Sequence, residues 1–279
     1  MLIEPENFPK RLALSLEYEG NRYHGWQSQK DEPLAVQTFV ERALSKIANE
    51  PVKVVCSGRT DAGVHASSQV CHFETRAVRE SYNWVMGANS QLPGDISLSW
   101  VREVDSRFHA RFSATSRQYV YFVRCVPVRS ALLRHATMFT CRSMDASRMA
   151  EAGKVLIGTH NFNAYRSVRC QAKSPVRTLT RLSIHQQDEL LAIHVEANGF
   201  LQHMVRNIVG VLMEIGSGEA SVDWAEQVLE SKDRTRGGVN APPHGLYFLG
   251  PSYDSDFNLA ETVRIPQVLK GILKSDPVE

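Results

Sequence analysis

The chain has 279 residues, 43% apolar and 22% charged with a net charge of +2, which is the make-up of a globular protein of one large domain or two modest ones. No apolar run approaches the roughly 18 residues of a membrane span, and Met1-Leu2-Ile3-Glu4-Pro5-Glu6-Asn7 has acids where a signal peptide has a basic region, so no secretory leader is expected. The five cysteines (Cys56, Cys71, Cys125, Cys141, Cys170) are scattered and form no C-x-x-C, which argues against a disulfide framework or zinc site and for a reduced, cytoplasmic setting.

In the first half, residues 12–18 alternate with period two and predict a strand. Residues 20–29 form a polar loop holding Tyr23, His24 and Trp26. Val36, Phe39, Val40, Ala43, Leu44 and Ile47 fall at helical spacing across residues 34–47. Strands are expected at 52–56 and 69–73, a short helix at 82–86, a loop at 91–95 and a strand at 96–104.

The second half repeats this order. Residues 116–126, rich in β-branched and aromatic side chains, predict a strand. Asp145 can cap a helix running to Leu156, and residues 179–185 and 190–195 make a hairpin across Asp188. The clearest helix spans 201–215, with Leu201, Met204, Val205, Ile208, Val209, Leu212 and Ile215 as its apolar stripe. A helix at 222–229 and a strand at 246–249 follow, and Val263, Val268, Leu269 and Ile272 suggest a small terminal helix. The expected architecture is α+β: two tandem split βαβ-type units with antiparallel-rich sheets. The expected divisions are 1–107, 108–253 and a tail at 254–279.

The charge is unevenly spread. Residues 102–181 hold 15 Lys and Arg against four acids, a net of +11, which leaves −9 for the remainder. Most of the 15 are Arg, whose planar fork suits phosphates and stacks on bases, so a polyanionic partner is favoured.

One loop stands out for chemistry: Cys56-Ser57-Gly58-Arg59-Thr60-Asp61-Ala62-Gly63-Val64-His65-Ala66. Glycines bracket Arg59-Thr60-Asp61 and permit unusual backbone angles and close approach of a ligand. On the residues alone, a plain turn in which Asp61 accepts local hydrogen bonds is the commoner reading. The stretch is no G-x-G-x-x-G and no P-loop, so a nucleotide cofactor gains no support.

Gly58 to His65 resembles the signature loop of the bacterial tRNA pseudouridine synthase A family. The resemblance continues at Tyr18-Glu19-Gly20-Asn21-Arg22-Tyr23-His24-Gly25-Trp26-Gln27, Leu92-Pro93-Gly94-Asp95, Phe108-His109-Ala110-Arg111-Phe112-Ser113-Ala114-Thr115, His203-Met204-Val205-Arg206-Asn207-Ile208-Val209-Gly210 and Gly245-Leu246-Tyr247. It implies the pseudouridine synthase fold, with two units joined around a central basic cleft. It also implies an isomerase that converts uridines 38–40 of the tRNA anticodon stem-loop to pseudouridine as a homodimer, without cofactor or metal.

By that resemblance Asp61 is the catalytic carboxylate, acting as nucleophile or steadying an oxocarbenium-like sugar. Arg59 probes the RNA and helps extract the base, a step that costs a few kcal/mol. Tyr119 stacks on the target uracil, while Tyr121, two residues on, reads as core packing. Arg206 pairs with Asp61, which would hold the carboxyl ionised and aimed. His203, Arg206 and Asn207, spaced i, i+3, i+4, are expected to form one polar face. The tRNA-contacting segments are Phe108-His109-Ala110-Arg111-Phe112 and Arg169-Cys170-Gln171-Ala172-Lys173. Ala172 and Lys173 stand where the family pattern has Ser and Arg, and Gln118 where a basic residue is common.

Two other classes fit parts of the pattern. A non-catalytic RNA-binding protein of this fold explains the basic stretch but not an acid in a glycine-bracketed loop. A hydrolase of N-glycosidic bonds would use a carboxylate but normally needs a second acid or base to activate water.

Overall fold

A computed structural model of the protein describes residues 9–29, 33–259, 262–266 and 271. Val268, Leu269 and Ile272 of the expected terminal helix lie outside these, as do residues 1–7; Val263 sits in irregular backbone. The chain divides into two units, Met1–Thr115 with Gly250–Arg264, and Ser116–Leu249 with Ile265–Glu279. The expected α+β class holds, with long antiparallel strands and five α-helices among the described residues.

The first unit runs β1 (Lys10–Tyr18), α1 (Val36–Ala48), β2 (Val55–Cys56), β3 (His65–Thr75), α2 (Ser81–Asn89) and β4 (Ile96–Glu103). This is the expected strand–helix–strand–strand–helix–strand order. β1 lies between β3 and β4, antiparallel to both, so Leu14 faces Cys71 on one side and Val101 on the other. The alternation of β1 delivers Leu12, Leu14 and Leu16 to the core, all buried. Helix α1 buries Val36, Val40, Ala43 and Leu44 as its spacing requires.

The expected strand at 52–56 shrinks to Val55–Cys56. Val52 and Val54 are buried in alternation, but their amides bond to side chains of α1, Ser45 Oγ at 2.9 Å and Glu41 Oε1 at 3.1 Å, in place of a neighbouring strand.

The second unit runs β5 (Ala114–Cys125, beginning in the first unit), β6 (Met138–Thr140), α3 (Ala146–Lys154), β7 (Gly158–Asn161), β8 (Val176–Gln187), β9 (Leu190–Ala197), α4 (Met204–Gly216), α5 (Trp224–Ser231) and β10 (Leu246–Tyr253, ending in the first unit). The order β5–β9–β8–β7 is antiparallel throughout, and β6 lies parallel to β5. Asp145 caps α3 as expected, accepting from the Arg148 amide at 3.0 Å. Asp188 turns the β8–β9 hairpin with φ +51°.

Helix α4 starts three residues later than its apolar stripe predicts. His203 sits at its N-cap with φ +63°, outside the helix, and Asn207 is buried. The expected polar face of His203, Arg206 and Asn207 therefore does not exist as such.

Candidate active site

The loop at 57–64 joins β2 to β3, and its base is locked by buried polar groups. Ser57 Oγ donates to Gln69 Oε1 at 2.7 Å, and Gln69 Nε2 donates to the Gly58 carbonyl at 2.6 Å. Gln69 is fully buried on β3, so its bond to Ser57 does not compete with water. At the tip, Thr60 is buried while Arg59 is exposed and Asp61 half-exposed. The Thr60 hydroxyl meets Tyr18 Oη at 2.8 Å, and its carbonyl accepts from the Trp26 amide at 3.1 Å. The Val64 amide closes the turn on the Asp61 carbonyl at 3.2 Å, with Gly63 at φ +78°.

The segment 18–27 is thus a brace for this loop. The Gly63 amide bonds to the Tyr23 carbonyl at 3.2 Å, and the Gly20 amide to His65 Nδ1 at 3.0 Å. Tyr23 and Trp26 are buried. Asp95 anchors the brace: it accepts from the Tyr23 hydroxyl, pairs with Arg22 at 3.1 Å, and its carbonyl takes the Glu19 amide at 3.0 Å. Burial and the Asp95 carboxylate push the Tyr23 phenol well above its ordinary range, so it stays a donor. The result is a carboxylate and a guanidinium presented on a backbone that has little freedom to move.

Segment 108–112 lies in the same unit. Phe108 and Ala110 are fully buried, with Phe108 edge-on to Tyr253 and Phe257 at ring distances of 5.0 and 5.2 Å. These two hold the segment; His109, Arg111 and Phe112 are the side chains it presents. His109 Nδ1 accepts the Arg111 and Phe112 amides at 3.2 and 3.1 Å, and its ring stacks on Phe112 at 4.3 Å. Burial and the cations Arg11 and Arg111 lower its pKa, so the ring is neutral with the proton on Nε2. The Arg111 guanidinium lies 5.6 Å from the exposed Phe112 ring. Burial pushes the Cys56 thiol up to about 12, against the opposing pull of the Arg59 and Arg111 charges.

In the second unit, Tyr119 on β5 is buried, its ring 5.1 Å from Phe200 and 4.9 Å from Phe248. Tyr121 is fully buried and donates to the Pro242 carbonyl at 2.8 Å, the expected core role. Arg206, in the first turn of α4, is half-buried and donates through Nε to the Ala241 carbonyl at 2.6 Å. Segment 169–173 lies in the loop before β8, where Arg169, Gln171 and Lys173 are exposed and Cys170 and Ala172 partly so. Its start is tied down by the Ser167 amide on the Gln202 carbonyl at 2.9 Å. Asp61 and Arg59 therefore belong to one unit, Tyr119 and Arg206 to the other.

A model of the tRNA pseudouridine synthase family matches residues 14–113 and 152–254. The chain belongs to that family. It is 49% identical over 262 residues to tRNA pseudouridine synthase A of Pseudomonas aeruginosa, covering 94% of this chain and 92% of that one. It is also 49% identical over 249 residues to the tRNA pseudouridine synthase A of Coxiella burnetii, with 89% and 95% covered. The protein of the same name from Acinetobacter baumannii is 44% identical over 252 residues, with 90% and 95% covered.

Two of the blocks that carry the family resemblance in the first unit, residues 18–27 and 92–95, brace and anchor the Asp61 loop. Among the described residues no group of three His, Cys, Asp or Glu is placed to hold a metal ion, and no helix is long and apolar enough to cross a membrane. Sequence reasoning missed Gln69. Its signal was a run of polar residues, Ser67, Ser68 and Gln69, inside a strand whose neighbours are Val70 and Cys71.

Proposed function

We propose that the chain isomerises uridines 38–40 of the tRNA anticodon stem-loop to pseudouridine, with Asp61 as the catalytic carboxylate. As a member of its family it is an isomerase acting on tRNA. The reaction breaks C1′–N1, turns the uracil, joins C1′ to C5, and moves the C5 proton out as N1 gains one. Nothing is oxidised and no atom is lost. A group must meet the positive charge that builds at C1′ as the first bond breaks, and a carboxylate does this as nucleophile or as counter-charge.

The observation that supports this reading best is the pinned loop. Thr60 is held from both sides, so the carboxylate beside it keeps its place without reorganising during the reaction. Arg59, exposed on the same turn, enters the stack that the flipped base leaves. Tyr119 supplies a ring face for the uracil, and Arg206 holds the Asp61 carboxylate ionised. His109, Arg111, Phe112 and the 169–173 loop bind the RNA backbone and unpaired bases, with Phe108 and Ala110 supporting from beneath. The enzyme works in the cytoplasm as a homodimer, with no metal or cofactor.

The test is conversion of an unmodified tRNA transcript, read by an adduct specific for pseudouridine and mapped by primer extension. Adducts at positions 38–40 are expected, on RNA whose mass before derivatisation is unchanged. Adducts elsewhere overturn the site assignment. Release of free uracil identifies a hydrolase, and unchanged RNA a binding protein.

A further inference from the structure

Arg206 is held by a reciprocal pair of hydrogen bonds with Ala241. Its Nε donates to the Ala241 carbonyl at 2.6 Å, and the Ala241 amide donates to the Arg206 carbonyl at 3.1 Å. With Nε committed, the direction of the rest of the guanidinium depends on where residues 238–242 lie against α4. That segment sits on the helix backbone itself. A Cβ on Gly210 would fall 1.9 Å from the Val239 carbonyl oxygen, and one on Gly238 would fall 3.2 Å from the Gly210 carbonyl carbon.

Arg234 ties the two together. Its Nη2 donates to the Gly238 carbonyl at 3.1 Å and to Asn207 Oδ1 at 2.9 Å, so one nitrogen joins the segment to the helical turn that bears Arg206. Asn207 is buried and its own amide donates to the Tyr165 carbonyl at 2.8 Å, so the anchor cannot swing away. Among the described residues Arg234 has no acidic partner. The carboxylate of Asp233 is taken by the amide and hydroxyl of Thr235 at 2.9 and 2.8 Å. A half-buried cation bonded only to neutral acceptors is a poor device for stability, because an apolar side chain of that size would avoid its desolvation. It is a good device for fixing an angle, because the planar fork sets direction.

We propose that Arg234 positions Arg206 for the reaction, acting through Gly238 and Asn207. This rests on the reading of Arg206 as the arginine of the active site. Arg234 itself touches no reacting atom.

The experiment compares wild type, Arg234→Met, Arg234→Lys, Arg206→Lys and the double variant Arg206→Lys/Arg234→Met. Each is assayed for single-turnover pseudouridine formation and for tRNA Kd on folded protein. Misplacing a group by about 1 Å can cost on the order of a hundredfold in rate, so Arg234→Met is expected to slow the reaction by about tenfold or more. Its Kd should stay within about twofold of wild type, and Arg234→Lys should recover part of the rate. In the Arg206→Lys background the Met substitution should cost little more, because the two losses share one route. A wild-type rate for Arg234→Met overturns the proposal. So does a weakened Kd with unchanged rate, which marks a phosphate contact, or a loss that is fully additive to Arg206→Lys, which marks a general structural role. Should Arg234→Met fail to fold, the partial rate of Arg234→Lys with wild-type Kd supports the proposal and a full wild-type rate refutes it. A wild-type rate for Arg206→Lys sinks the reading of Arg206 beneath it, whereas a slow Arg206→Lys beside a normal Arg234→Met sinks the positioning role and spares that reading.

Discussion

Gly25 stands so close to Thr60 that a Cβ on it would lie 2.7 Å from the Thr60 carbonyl oxygen. Its φ of +95° is one that L side chains rarely adopt, so both space and conformation demand glycine there. Gly25→Ala adds roughly 1–2 kcal/mol of backbone strain and forces the peptide beside Asp61 to shift. The expected outcome is a folded protein with a melting temperature lowered by several degrees and pseudouridine formation cut by about tenfold or more, with tRNA affinity retained. A full wild-type rate in this variant means that the brace does not set the position of the Asp61 loop.

The contact between residues 25 and 60 also shows where reading the sequence stops. Alternation in β1 and the apolar stripe of α1 were legible because burial imposes periods of two and of 3.6 residues on the chain. Asp145 was legible because a cap needs an oxygen at one fixed place. The extent of β2 was not, since Val52 and Val54 alternate like strand residues while their amides bond to a helix. The start of α4 was hidden because Leu201 keeps helical spacing across His203, which turns the chain with a positive φ. Strand β7, Gly158-Thr159-His160-Asn161, carries no apolar pattern, and its pairing with β8 comes from tertiary context. Within the site, the glycine-bracketed acid was visible. What braces it was not, because Tyr18, Gly25 and Gln69 reach it through contacts that local pattern does not record.

The RNA-binding surface is tested by salt. If phosphate contacts dominate, log affinity for tRNA falls linearly with log salt, by about 0.7–0.9 for each phosphate neutralised. Arg111 and Arg169 are exposed on their segments, so Arg111→Ala and Arg169→Ala should each weaken binding and flatten that slope by close to one contact. The single-turnover rate at saturating enzyme should change little. Affinity independent of salt contradicts the account of residues 102–181 as an RNA platform.

Stability should fall on mild acidification. Burial, aided by His109 and Arg11, lowers the pKa of His72 to about 4, and its Nδ1 accepts the Ala110 amide at 3.1 Å. Burial, with Arg181 and His185, does the same to His194, again to about 4. In the unfolded chain both titrate near 6.5. Above that pH neither state is protonated and these residues add no pH dependence. Between about 6.5 and 4 the unfolded chain binds protons that the folded chain does not, so stability drops as pH falls. The melting temperature should decline from pH 7 to pH 5, and less steeply in His72→Asn, whose Oδ1 can accept the Ala110 amide without titrating. Equal slopes in the two proteins would remove His72 from this account.

The central claim is that the Asp61 carboxylate does the chemistry. An acid among RNA phosphates is unfavourable for binding, so its presence in an RNA enzyme calls for a chemical role. Asp61→Asn keeps the size and hydrogen bonding of the side chain but removes its charge and most of its nucleophilicity. The decisive measurement is single-turnover pseudouridine formation by this variant, beside its tRNA Kd. The account predicts a folded protein that binds tRNA at least as tightly as wild type and forms pseudouridine only at background. A rate within tenfold of wild type, a barrier change of only about 1.4 kcal/mol, would contradict it.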